Sequence, residues 1–150
     1  MTAGVIHVPG ASAGPPSRAL ASTANVFARE THMDELAANA SLRGELREKI
    51  EGGLPVYAEC GGLMYLARSI EWRGRRAEMV GAIPGDIVMH GRPVGRGYVH
   101  LRETGRSPWP PPPGPQAEPI RAHEFHYSSV ENLAPELGFA YEMERGHGID

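Results

Sequence analysis

The run Leu54-Pro-Val-Tyr-Ala-Glu-Cys60-Gly-Gly-Leu-Met-Tyr-Leu-Ala-Arg-Ser-Ile70 decides the fold. It reads as a buried strand, a sharp turn bearing the only cysteine of the chain, and an amphipathic helix. Pro55 stands at the start of the strand, where no ladder donor is needed, and Val56, Tyr57 and Ala58 suit a covered strand. Gly61 and Gly62 let the backbone turn tightly, and Leu63, Met64, Leu66, Ala67 and Ile70 recur at helical spacing. This geometry projects Cys60 from the carboxyl end of a strand, with its sulfur near a helix N-terminus. Free amides and the helix dipole there favour the thiolate, the reactive form of cysteine. The arrangement is that of the G-x-S-x-G elbow, with sulfur in place of oxygen. A lone cysteine is otherwise a small buried apolar residue, but the Glu-Cys-Gly-Gly setting favours reactivity.

Toward the N-terminus, Ser41 caps an expected helix in which Leu42, Leu46 and Ile50 repeat every fourth residue, and Gly52-Gly53 ends it. A shorter helix, Met33 to about Asn39, follows a Thr31/Asp34 capping box. Residues 1–30 are expected to form an atypical segment: a short strand within Met1 to Val8, then a Gly/Pro/Ser-rich stretch, Pro9 to Ala24, that buries little surface and reads as a loop or a disordered lead-in. No G-x-x-x-x-G-K-[ST] phosphate loop occurs anywhere in the chain.

Beyond Ile70 a charged turn is expected over Glu71 to Glu78. Short strands follow around Met79–Ile83, Asp86–Met89 and Tyr98–Leu101, broken by Pro84-Gly85, Gly91-Arg92-Pro93 and Gly95-Arg96-Gly97. Half of the fourteen prolines fall between Pro108 and Pro119, which marks 107–119 as an extended surface loop. Ile120 to Val130 and Phe139 to Met143 read as strands, and Gly146-His147-Gly148 as a turn. The order of helix, strand, nucleophile turn and helix argues for an α/β fold: an open, mostly parallel sheet with flanking helices.

The 150 residues suit one domain. A net charge of −3 offers no general attraction for nucleic acid or an anionic membrane. A single cysteine excludes an internal disulfide and a four-thiolate zinc site. The absence of a long apolar run and of a signal-peptide pattern leads to the expectation of a cytoplasmic chain.

A cysteine nucleophile needs a base, usually histidine. His123 and His126 share one expected strand, and residues three apart on a strand lie on opposite faces, so only one can face Cys60. The same alternation makes His-x-x-His a poor chelate, and no metal is expected. Met89, His90, Arg92 and Arg96 admit two readings, the border of a site or edge-strand side chains, and the second is favoured. Spacing alone leaves the choice between His123 and His126 open.

Tyr57-Ala-Glu-Cys-Gly-Gly-Leu-Met-Tyr-Leu66 together with His123-Glu-Phe-His-Tyr-Ser128 resembles the glutamine amidotransferase domain of cobyrinic acid a,c-diamide synthases, a cobalamin-pathway group of triad-type amidotransferases. Thr31 to Ile70 and Met79-Val-Gly-Ala-Ile-Pro-Gly-Asp86 share the likeness, which runs from about residue 31 to the C-terminus. The resemblance implies a flavodoxin-like, class I amidotransferase-like fold, with 31–150 a partial domain incomplete at both ends. It implies Cys60 as the nucleophile that forms a thioester with glutamine and releases ammonia. Family relatives carry G-Y-E-I-H where this chain has Ala122-His-Glu-Phe-His126, so His126 is the implied base and His123 falls on a variable position. The Gly61 amide is the implied oxyanion donor, with Glu59, Gly62 and Glu124 as supporting candidates. Many triad-type relatives place a carboxylate two residues after the histidine. Here Ser128 stands there, which implies a Cys-His dyad.

In the family, ATP and magnesium serve a separate synthetase portion that activates the tetrapyrrole carboxylate, and this chain is expected to hold no cofactor. The implied partners are therefore glutamine, that synthetase domain or subunit, and a corrinoid. Arg145-Gly-His-Gly-Ile-Asp150 also resembles relatives proposed to amidate sirohaem. The family's Gly-Gly-Phe-Pro-Glu loop, source of a second oxyanion donor, is replaced by Asn25-Val-Phe-Ala-Arg-Glu30. That departure supports a rival expectation, a catalytically dead fragment serving as a subunit or interaction module. A third is a redox-sensing thiol at Cys60.

Overall fold

Met33-Asp-Glu-Leu-Ala-Ala38 places two acids in its first turn, which suits the positive end of a helix, and forms α1 (Met33–Ala38) in the computed structural model, which describes residues 3–5, 32–107 and 118–148. Thr31, the Asn25–Glu30 loop, the Gly/Pro/Ser-rich stretch and the proline run 108–117 lie outside the described residues. α2 (Ala40–Glu51) follows almost at once. Its cap is Asn39 rather than Ser41: the Asn39 carboxamide oxygen accepts from Leu42 N at 3.2 Å, so the helix starts earlier than expected. Gly52 closes it, donating to Glu48 O at 2.8 Å. Of the Leu42, Leu46 and Ile50 stripe only Ile50 is buried, while the Arg43 guanidinium ties the helix to Met79 O at 2.9 Å.

β2 (Tyr57–Glu59) pairs antiparallel with β1 (Ala3–Val5), and Cys60 leads directly into α3 (Gly61–Leu66). The helix expected to reach Ile70 stops at Leu66, and Ala67–Trp72 is strand β3. The expected charged turn is a hairpin: Arg73 and Gly74, with φ of 52° and 72°, join β3 to β4 (Arg75–Glu78) in the two-residue geometry that requires positive φ at both positions. A short apolar run fits either period, and the hairpin decides for the strand by burying Ala67, Ser69 and Ile70.

Pro84-Gly85 does not break a strand but lies inside β5 (Ile83–Met89). The β3–β5 register shifts between Ala67 and Ser69, and a proline is tolerated at such an irregularity. Likewise Gly95-Arg96-Gly97 opens β6 (Gly95–Glu103) rather than interrupting it. The long strand expected over Ile120–Val130 is split at Tyr127 into β7 (Ile120–His126) and β8 (Ser128–Glu131), and β9 (Tyr141–Arg145) starts slightly later than expected.

The described residues form a mixed α/β structure with three sheets: β1-β2, β4-β3-β5-β8 and β7-β6-β9. Among the described residues the expected mostly parallel sheet is met at one pair, β3 with β5; the other pairings there are antiparallel. For β3–β4 the reason is connection length, because parallel neighbours need a long crossover while these two strands are joined by two residues. Met33, Met64, Ala67, Ile70, Ala77, Met79, Ile87 and Val130 form the core, so α1 and α3 cover one face of the four-stranded sheet. Ile87, in β5, one of the two inner strands, is essentially inaccessible. Ile87→Val is expected to cost about 0.5–1.5 kcal/mol, read as a lower urea midpoint at constant m. No described helix is long and apolar enough to cross a membrane.

Candidate active site

Cys60 is exposed and sits at φ 50°, ψ −118°, between the last residue of β2 and the first of α3. A residue with a Cβ pays for that conformation, so the surrounding structure must hold it there. The constraints are visible: Cys60 O accepts from Met64 N at 3.1 Å, Gly61 is buried, and a Cβ on Gly62 would meet Ala58 Cβ at 3.3 Å. α3 has only six residues, so its influence on the thiol comes from the unpaired amides of its first turn rather than from a long aligned dipole.

Two residues before the cysteine's neighbour, Tyr57 donates its hydroxyl to Glu59. Glu59 is thus occupied by a side chain of its own strand face. Burial, then the Glu59 carboxylate, then nearby Tyr141 push the Tyr57 phenol up to about 12. Tyr141 belongs to β9, in the same sheet as the strand that carries the histidines.

β7 separates the two histidines as alternation requires. His123 is exposed, edge-on to Tyr98 with ring centroids 5.7 Å apart; His126 is buried. Glu124, two residues before His126, shares its face and is 4% exposed, against 6% for His126. The His126 Nδ1 lies 2.7 Å from Ser128 O, and because a carbonyl only accepts, the ring proton belongs on Nδ1. Nε2 stands 3.4 Å from Glu124 Oε2. The carboxylate also accepts from His147 N at 2.8 Å and Gly148 N at 3.0 Å. Burial alone would raise the Glu124 carboxyl, but those two amides and the imidazole outweigh it and its pKa is lowered. Among the described residues no hydrogen bond joins the His126 ring to the Cys60 thiol.

Residues 28–148 match the CobB/CobQ-like glutamine amidotransferase domain. The chain belongs to that family. It is 44% identical over 121 residues to a cobyrinate a,c-diamide synthase of Magnetococcus marinus, covering 81% of this chain and 25% of the relative. The corresponding enzymes of Halobacterium salinarum and Archaeoglobus fulgidus are 41% and 40% identical over 81% of this chain. The chain spans about a quarter of the length of these curated relatives.

Within this amidotransferase domain, the structure adds to the residues read from sequence. Gly95, read as a strand breaker, lies opposite His126 in the β6–β7 register. A Cβ there would fall 2.1 Å from His126 Nε2 and 2.8 Å from Glu124 Oε2, so ring and carboxylate fill the space that the missing side chain leaves. The two-residue spacing of Glu124 and His126 signalled a shared face, but nothing in the sequence signalled the Gly95 contact or the amides from the turn after β9. His90 is engaged elsewhere, with Nε2 2.8 Å from Ser129 Oγ. Among the described residues no group of three or more His, Cys, Asp or Glu is placed to hold a metal ion.

Proposed function

We propose that this chain is the glutaminase part of a cobyrinate a,c-diamide synthase-type enzyme, with Cys60 as nucleophile and His126 as its proton acceptor. The observation that carries the reading is the exposed Cys60 at positive φ between β2 and α3, in a chain of this amidotransferase family. His126 takes the thiol proton on Nε2, since Nδ1 is committed to Ser128 O. This needs Nε2 to exchange its long contact with Glu124 for the thiol when glutamine binds, and catalytic contacts commonly tighten in the substrate complex.

The thiolate then attacks the carboxamide carbon of glutamine, forming the C–S bond and placing negative charge on oxygen. The amide of Gly61, at the start of α3, is the oxyanion donor. Collapse breaks the C–N bond, and the imidazolium returns its proton to the leaving nitrogen, which departs as ammonia. Water next attacks the thioester while His126 accepts its proton, giving glutamate and the free thiol. The ammonia amidates a tetrapyrrole side-chain carboxylate, and the relatives' name favours a corrinoid over sirohaem. ATP and magnesium act in the synthetase portion, and no step here passes through either.

A second reading, a catalytically silent module, is favoured by the His126 nitrogens' engagement with Ser128 and Glu124. A glutamine-analogue electrophile separates the two. Selective, glutamine-protected labelling of Cys60 that is lost in His126→Ala supports the glutaminase; slow labelling indifferent to glutamine and to that substitution supports the silent module.

A further inference from the structure

Ser128 stands where many triad-type amidotransferases carry a carboxylate, and its contribution to His126 is a backbone carbonyl, which orients the ring without supplying charge. A carboxylate nevertheless reaches the ring from the other direction along the chain. Glu124 precedes His126 by two residues, so strand alternation places both on the inner face of β7. Three independent constraints hold it there. His147 N and Gly148 N, two successive amides after β9, converge on its two oxygens at 2.8 and 3.0 Å. Successive backbone N–H groups of this kind form a concavity that suits an anion. Gly148, at φ 78°, adopts the left-handed conformation that lets the chain present them. Gly95 contributes the third constraint, as an empty space that ring and carboxylate fill together.

A buried carboxylate is costly unless its oxygens are satisfied, and this one has two amides and an imidazole as neighbours. Its contact with the imidazole is the longest of the three, at 3.4 Å. The amides therefore carry the carboxylate, leaving its charge beside a ring that can still turn toward another partner. A fixed negative charge at that point stabilises the imidazolium that forms when the ring takes a proton; it acts from the Nε2 side, whereas the aspartate of a hydrolase triad holds the nitrogen that faces away from the nucleophile.

We infer that Glu124 is the positioning residue for His126, supplying from two residues before the histidine the carboxylate that position 128 lacks, with the turn after β9 as its anchor. The inference rests on the proposed role of His126, and it assigns Glu124 no contact with substrate. The site is then a Cys-His dyad whose imidazolium is supported by the nearby charge of Glu124, with Ser128 O holding the far nitrogen.

The test combines kinetics with a readout that needs no activity. In ¹⁵N-resolved spectra of the wild-type full chain, His126 is expected as the Nδ1-protonated tautomer, and the Glu124 carboxyl carbon is expected to shift in step with the ionisation of that ring. A Glu124 carbon silent through the ring's titration would overturn the inference. Glu124→Gln preserves size and removes the charge. It is expected to lower glutaminase kcat by at least about tenfold with little change in KM for glutamine, and to move the acid limb of the pH profile. Unchanged kcat and an unchanged acid limb in a folded Glu124→Gln chain would equally overturn it. A wild-type chain that neither hydrolyses glutamine nor labels at Cys60 defeats the glutaminase reading instead, and the spectra then decide the Glu124–His126 pairing by themselves.

Discussion

Gly95→Ala is expected to cut glutamine hydrolysis by about 10² while leaving most of the fold in place, because misplacing a reacting group by about 1 Å costs on that order. The added methyl would lie 2.1 Å from His126 Nε2, 2.9 Å from its Cδ2 and 2.8 Å from Glu124 Oε2. None of these contacts is tolerable, so the ring and the carboxylate must both swing away. The backbone has little freedom to give way, since Gly95 is paired in register with His126 itself and Val94 N donates to His126 O at 2.9 Å. Forcing a methyl into such a space costs about 1–3 kcal/mol of stability. The checks are kcat for glutamine hydrolysis and the urea midpoint of the same preparation. A Gly95→Ala chain with wild-type values of both would show that the ring does not occupy this space.

Asp86→Ala is expected to be the most destabilising single change away from the site. Asp86 is buried in β5 and accepts from Arg68 Nε at 3.0 Å and Arg68 Nη2 at 2.8 Å, from Arg76 Nη2 at 2.9 Å, from Ser69 Oγ at 2.7 Å and from Asn132 Nδ2 at 3.1 Å. One carboxylate thereby ties together β3, β4, β5 and the residue after β8. Removing one partner of a buried pair typically costs about 3–5 kcal/mol. Arg68 and Arg76 are each about half exposed and regain water, so the lower end, about 3 kcal/mol, is expected.

The pH dependence follows from the same contacts. The Arg68 hydrogen bonds first, then those from Ser69 and Asn132, outweigh the opposing effect of burial and hold the Asp86 carboxyl well below the usual aspartate range. A group depressed on folding stabilises fully above its unfolded value, about 3.9, and loses that contribution as pH falls through the lower folded value. The gap in urea midpoint between wild type and Asp86→Ala should therefore be widest near neutral pH and should narrow as pH falls below about 4. A gap independent of pH would show that shape rather than charge sets the cost.

Much of the candidate site was legible because its signals are local. Cys60 between a strand and two glycines needs only the next few residues to be read as a projecting elbow, and the backbone there makes the expected sharp turn, at positive φ. His123 and His126 were separable in principle by alternation, and burial divides them as period two requires. The errors came where a local pattern fitted two structures. Leu63 to Ile70 satisfied helical spacing, yet Arg73-Gly74 formed a hairpin turn and pulled Ala67–Trp72 into a strand. Pro84-Gly85 and Gly95-Arg96-Gly97 looked like breakers, yet an irregular register accommodates the first, and the second opens a strand whose leading glycine makes room for His126.

By itself the sequence determined the elbow, the two helices before it and the family, because each depends on residues a few positions apart. Tertiary structure decided the rest. The mostly antiparallel sheets follow from which strands meet, and the clamp on Glu124 joins residues that are more than twenty positions apart. The vacancy at Gly95 is defined by a ring thirty-one positions away, across a strand pair, that only folding brings against it.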